Sequence, residues 1–475
     1  MQGSKLIEIF YTLTATERRA LHKFVHSPYY NKREDVLLLL SYLEQQPNAS
    51  AETLAKDKVF EYVFPNESYD KAADHKIRYV MSFLLKLIEE FLSTREAVIN
   101  PLYNQLHLAK AYRHLRLPKH FRQTMNQARK LHQSTQLRDF DYYEQAFRIE
   151  EEEYLFAGYT QRAPENVQEL SDMLDIQYLA AKLKQSCLML SHQTVHKINY
   201  NSGLLQEVLN YIDRNQEVLV HAAIALYYYY YRAATAVESE LYFQRFKKVL
   251  LASADTFPSS EMQDFYNMAI NYCVKTLNQQ KDNYKVYFRE LFELYQEGLK
   301  SAVFLEDGIL SPFHFKNIVT IALQVKEFDW TSRFIKEYQN YLSSEHRDTY
   351  VNFGLSKLRF EQKRYDEALI LLQEVDYADI FLNLSSKLMQ LKIYYELQEF
   401  DVLESFLNSF RTYVNRKKQS GDLRSYHQEN YLNIIRLTQK LLTYNPFDKK
   451  EKAKLKDEIE KTKVTERKWL LDQLG

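Results

Sequence analysis

The chain has 475 residues, with 63 Lys plus Arg against 63 Asp plus Glu, so no overall charge draws it to nucleic acid or to an anionic membrane surface. Its 8 glycines never fall within six residues of one another, which excludes the Gly-rich phosphate loops GxGxxG and GxxxxGK[ST] and the GxSxG nucleophile elbow. The two cysteines, Cys187 and Cys273, are 86 residues apart, which excludes a disulfide framework and a cysteine zinc site and suits a reducing compartment.

Scarce glycine with abundant Leu, Glu, Lys, Gln and Tyr predicts an all-α chain. The N-terminal stretch MQGSKLIEIFYTLTATERR has no apolar signal core, and no run of 18 apolar residues occurs, so a cytoplasmic protein without a spanning helix is expected. Residues 1–98 read as a compact helical unit with helices over 4–12, 15–26, 33–46, 50–63 and 68–97. In the last of these, Ile77, Val80, Met81, Leu84, Leu85, Ile88, Phe91 and Leu92 recur at helical spacing. The dipeptide Asn100-Pro101 ends it, because the residue before proline avoids the helical region.

His22 and His26 are four residues apart on one helix, as are His192 and His196, a spacing that can bring two imidazoles to one metal ion. Neither pair belongs to HExxH, and no glutamate lies three residues before any histidine. No metal site and no cofactor are therefore expected. The run Glu150–Glu153 reads as a solvated helix face, since consecutive carboxylates point in different directions and do not form an acid–base pair.

Residues 216–237 include five consecutive tyrosines, LYYYYYR from Leu226 to Arg232. On a helical wheel Leu219, Ala222, Ala223, Leu226, Tyr230, Ala233 and Val237 make one stripe, which predicts Tyr230 in the core. Tyr227 and Tyr229 flank the stripe. Tyr228 lies opposite, with Glu217, His221, Tyr231, Arg232 and Thr235. His221, Tyr228, Tyr231 and Arg232 are thus candidates for a partner-binding aromatic patch on an open groove. The alternative is that Tyr228 and Tyr231 pack on an adjacent helix or a crossing loop.

Further on, long helical patterns come in pairs with short polar breaks: 240–254 closes the tyrosine pair, 260–279 pairs with 282–300, and 312–326 with 329–342. Then come 347–361 with 365–375, 378–396 with 400–417, and 420–444 with 447–463. Three breaks match one another: KEFD at Lys326–Asp329, KRYD at Lys363–Asp366 and QEFD at Gln398–Asp401. Their aromatic residues Phe328, Tyr365 and Phe400 are spaced 37 and 35 residues apart. In LSKLRFEQKRYDEALILLQEV, with Leu355, Ser356, Tyr365, Ala368, Leu372 and Val375, the chain resembles the tetratricopeptide (TPR-like) helical-repeat superfamily over about 312–417. The resemblance implies an α-solenoid of antiparallel helix pairs. It also implies close helix approach at Ala368, replaced by Leu403 and Thr331 in the adjoining units, and buried aromatic plugs at Phe328, Tyr365 and Phe400.

A basic cluster at Arg411, Arg416, Lys417, Lys418 and Arg424 is a second candidate, either gripping an acidic partner or sitting at a helix C-terminus where cations are favoured anyway. The mixed-charge tail from Asp448 reads as an exposed capping helix. The organisation expected is an N-terminal helical unit over 1–98, a TPR-like α-solenoid over 102–446 and capping helices over 447–475. Such a chain is expected to be a non-catalytic scaffold that takes a protein or peptide in its concave groove, without membrane or nucleic-acid binding. The alternative is a regulator whose N-terminal unit, with ERRALHKFVHSPYYNKR, binds nucleic acid while the repeats sense a peptide.

Overall fold

The structure is a computed structural model that describes residues 1–46, 50–159, 166–196, 198–279, 285–375, 379–420, 425–464 and 466–474. About 78% of it is helical, with 23 α-helices among the described residues, so the chain is all-α. It forms two compact units, Met1–Lys182 and Leu183–Gly475.

In the first unit α1 (Lys5–Thr12), α2 (Ala15–Val25), α3 (Glu34–Gln45) and α4 (Lys56–Val63) pack on the long α5 (Lys71–Ile99). Thr14 and Glu17 close a reciprocal capping box at the start of α2, satisfying backbone N–H groups that the helix leaves open. Ile77, Val80, Leu84, Ile88 and Phe91 of α5 are buried in one core with Phe10, Leu21, Leu39 and Phe60, as the helical spacing requires. Asn100 breaks the chain: its side chain accepts from the Leu102 and Tyr103 N–H groups, and Pro101 occupies the first position of α6 (Pro101–His114). Then come α7 (Pro118–Ser134) and α8 (Phe140–Tyr159), both packed on α6.

Only part of the run Glu150–Glu153 on α8 is a solvated face: Glu151 and Glu153 are partly exposed, and the other two are covered. Glu150 is buried and takes Arg129 at 2.8 Å, while Glu152 takes the buried Arg113 at 2.9 Å. Basic side chains from α6 and α7 make these positions inward-facing, which no charge count on α8 alone shows.

Helix α9 (Val167–His196) carries the division between the units. The second unit continues with α10 (Leu205–Arg214), a 3-10 turn at Gln216–Val220, α11 (Ala222–Thr235), α12 (Ser239–Ala252), α13 (Ser259–Gln279) and α14 (Val286–Lys300). A two-residue hairpin, Leu305–Glu306 with Ile309–Leu310, turns at Asp307-Gly308, both at positive φ. This is a small departure from the strand-free expectation, and the Asp-Gly dipeptide is its cause. There follow α15 (Pro312–Gln324), α16 (Phe328–Tyr338), α17 (Arg347–Glu361), α18 (Tyr365–Gln373), α19 (Ile380–Glu396), α20 (Phe400–Gln419), α21 (Ser425–Thr443), α22 (Lys449–Lys461) and α23 (Arg467–Asp472). From α11 to α21 each helix packs on the next, and α11 with α13, α15 with α17 and α17 with α19 also touch.

The three matching breaks share one backbone. Lys326, Lys363 and Gln398 are left-handed, at φ 63°, 60° and 60°. Each donates its N–H three residues back, and the following residue donates five back: Lys363 to Phe360 and Arg364 to Arg359, both at 2.9 Å. This is a Schellman stop, normally built on glycine. The residues buried after each stop are Thr331, Ala368 and Leu403, none with any exposed surface. The aromatic plugs differ from expectation, since Phe328 and Tyr365 are only half-buried and Phe400 is 46% exposed. As the first residue of its helix, each ring lies on the outer edge of the corner, against Phe360 in the case of Tyr365 and Tyr395 in that of Phe400.

A side chain in the left-handed region costs about 1–2 kcal/mol that glycine does not, offset in part by glycine's freedom when unfolded. Lys363→Gly should therefore raise the free energy of unfolding by up to about 1 kcal/mol in urea titrations, and Gln362→Gly, one residue earlier, should lower it. Equal losses from both would show that Lys363 is not left-handed.

Candidate functional site

Helix α11, AAIALYYYYYRAAT, is apolar almost all round, and such a helix is interior. The expected continuous helix over 216–237 breaks at His221, whose extended backbone folds the Gln216–Val220 turn back against α11. With α12 and α13 also packed on it, α11 has no broad open face. Tyr227 donates to Glu261 at 2.5 Å, and its ring lies against Phe265. Its carbonyl accepts the Cys187 thiol at 3.4 Å. Lys184 completes the Glu261 carboxylate at 2.9 Å. Tyr230 is buried as expected, against Phe246, and burial pushes its phenol up to about 12.

Tyr228 is the correction. It is 2% exposed rather than outward-facing: Asp213 of α10 and the Tyr242 ring of α12 meet it on the face that the wheel leaves open. Its hydroxyl donates to Asp213 of α10, and Arg232 pairs with the other oxygen of the same carboxylate while lying over the Tyr228 ring at 5.5 Å. Burial, and the hydrogen bond to Asp213 after it, hold the Tyr228 phenol far above its ordinary range. Tyr228 and Arg232 are therefore brought together as a clasp on Asp213. Tyr231 and His221 are half-buried, and burial lowers the His221 imidazole.

The second candidate lies on α20. Arg411 donates to Gln439 of α21 at 2.5 Å. Arg416, Lys417 and Lys418 occupy the last turn, where the helix dipole favours cations, and Arg416 lies 5.8 Å from the Tyr413 ring. Arg424 lies outside the described residues. Of the histidine pairs, His22 stacks on His26 at 3.9 Å, and His192 lies tilted against His196 at 4.1 Å. No group of three His, Cys, Asp or Glu side chains suited to a metal ion occurs among the described residues.

Two features were not read from the sequence. One is a pocket of about 500 Å³ between α9, α11 and α13, lined by Leu190, Ser191, Tyr230, Asn271, Tyr272 and Lys275. The other is a set of half-buried lysines on α15, α17 and α19. Lys357 donates to Thr320 of α15 at 2.9 Å. Burial and the nearby Lys392 lower its ammonium to about 8. Burial also lowers Lys316 and Lys387. The signal was present as single lysines inside apolar runs, FHFKNIV, LSKLRF and MQLKIYY, on alternate helices.

No helix among the described residues is long and apolar enough to cross a membrane. No protein-family model matches the chain, and neither a curated protein nor a solved structure matches it.

Proposed function

We propose that the second unit is a TPR-like array of helix pairs and that the protein is a non-catalytic scaffold, cytoplasmic, holding a protein or peptide partner on the layer of odd-numbered helices. The observation that carries this is the recurring stop: Lys326, Lys363 and Gln398 share one left-handed conformation and one pair of hydrogen bonds, 37 and 35 residues apart. Such periodicity makes each pair a copy of one packing unit, and α15 on α17 and α17 on α19 give it a continuous layer. Both cysteines are free and buried, which fits a reducing compartment.

Mass-spectrometric mapping of cross-links between the tagged full-length chain and its captured partner tests the proposal. Cross-links should fall on α15, α17, α19 and α21. A partner joined only through the even-numbered helices would overturn the assignment of the binding layer, and turnover of a captured small molecule would overturn the non-catalytic reading.

A further inference from the structure

Three lysines from successive odd helices gather in the second unit. Lys357 of α17 reaches Thr320 of α15, and Lys316 of α15 and Lys392 of α19 are both near enough to repel its ammonium. Lys392 has a direct counter-ion, the Glu466 carboxylate at 2.6 Å. Lys316 and Lys357 have no carboxylate within ion-pair distance among the described residues. Asp379 faces Lys316 and Glu361 and Glu466 face Lys357 from farther away. The near contacts of the Lys357 ammonium are a neutral hydroxyl and the face of the Phe353 ring at 5.6 Å, and neither neutralises its charge, so holding it there is a cost to the fold.

Glu466 shows what this row accepts. It directly precedes α23, which lies along α19: the Trp469 indole and the Gln473 amide both donate to Glu396, at 3.1 and 2.9 Å, and Leu470 is buried in one core with Leu388 and Leu391. The chain's own acidic residue thus sits at the α19 end of the row, and the two lysines beyond it have no such residue.

We propose that Lys316 and Lys357 form the docking surface for an acidic peptide segment of a partner protein, with its Asp or Glu carboxylates continuing the row that Glu466 begins on Lys392. The inference rests on the scaffold reading above. Packed helices lie about 8–10 Å apart. A polyproline-II peptide advances about 3.1 Å per residue with about three residues per turn, so carboxylates three residues apart share one face and match lysines on neighbouring odd helices.

The test uses the full-length chain and a short fluorescein-labelled peptide with Glu at every third position among Gly and Ser, beside its Gln counterpart, read by anisotropy at low ionic strength. The Glu peptide should bind and the Gln peptide should not. Lys316→Gln and Lys357→Met should each weaken binding by about tenfold. Lys461→Gln, at the surface of α22, should leave it unchanged. Lys357→Met should melt no lower than the parent, so its loss of binding is not unfolding. Full affinity in Lys357→Met, or no binding of the Glu peptide to the parent chain, overturns the docking surface. So does preferential binding of duplex DNA or inorganic phosphate with the same lysine dependence. A captured partner that cross-links to the odd helices equally well in both lysine variants removes this surface and leaves the scaffold standing.

Discussion

Tyr228→Ala should lower the stability of the second unit by about 3–5 kcal/mol, the range for emptying a well-packed aromatic site. The ring is 2% exposed, lies edge-on to Tyr229 and Tyr242, and carries a hydroxyl bonded to Asp213. Tyr228→Phe keeps the ring and loses only the hydroxyl. Because Arg232 still pairs with Asp213, the cost should fall to about 1 kcal/mol. Tyr231→Ala, at a half-buried position, should cost less than Tyr228→Ala. Denaturant titration with hydrogen exchange over 205–250 distinguishes these. An unchanged midpoint for Tyr228→Ala would return the ring to the open groove that the helical wheel indicates.

The second large effect is expected from a change that propensity alone would favour. Gly298 lies inside α14, where alanine is ordinarily better by about 1 kcal/mol. Here a Cβ would overlap the Phe304 ring. That ring cannot withdraw: it is 1% exposed and is flanked by Tyr266, Tyr295 and His314. The overlap arises because α14 ends in another left-handed stop, Ala302 at φ 52°, with Val303 donating to Gly298 at 2.9 Å, which turns the chain back over its own last turn. Gly298→Ala should therefore destabilise by about 2–3 kcal/mol, and Gly298→Ala with Phe304→Leu should recover part of the loss. A stabilised Gly298→Ala chain would show that the ring has room to move.

How much of this the sequence reveals depends on whether the deciding interaction is local. Helix ends are local: Asn100-Pro101 stops α5, and the KEFD, KRYD and QEFD breaks mark three stops of identical conformation. The Asp307-Gly308 turn was equally local, but it is short enough to pass between two helical patterns. The wheel leaves Tyr228 open between an exposed patch and packing on an adjacent helix, because it treats everything beyond one helix as solvent, and Asp213 approaches from a segment that reverses at His221. Glu150 and Glu152 were misread for the same reason, their arginines standing on α6 and α7. The lysine row needs three helices to be seen at once: each lysine alone is an ordinary polar residue, and only Lys357 between Lys316 and Lys392 makes a site.

The Cys187 thiol resting on the Tyr227 carbonyl gives the chain a built-in clock. Both thiols are fully covered, and burial raises each of them well above the ordinary thiol range, so in the native state neither is a ready nucleophile. Both belong to the second unit, and the first contains none. Covalent labelling by a thiol reagent therefore counts openings of the second unit alone, against a silent background from the first. The rate at which Cys187 reacts measures how often α9 and α11 part, and it does so in the unaltered protein.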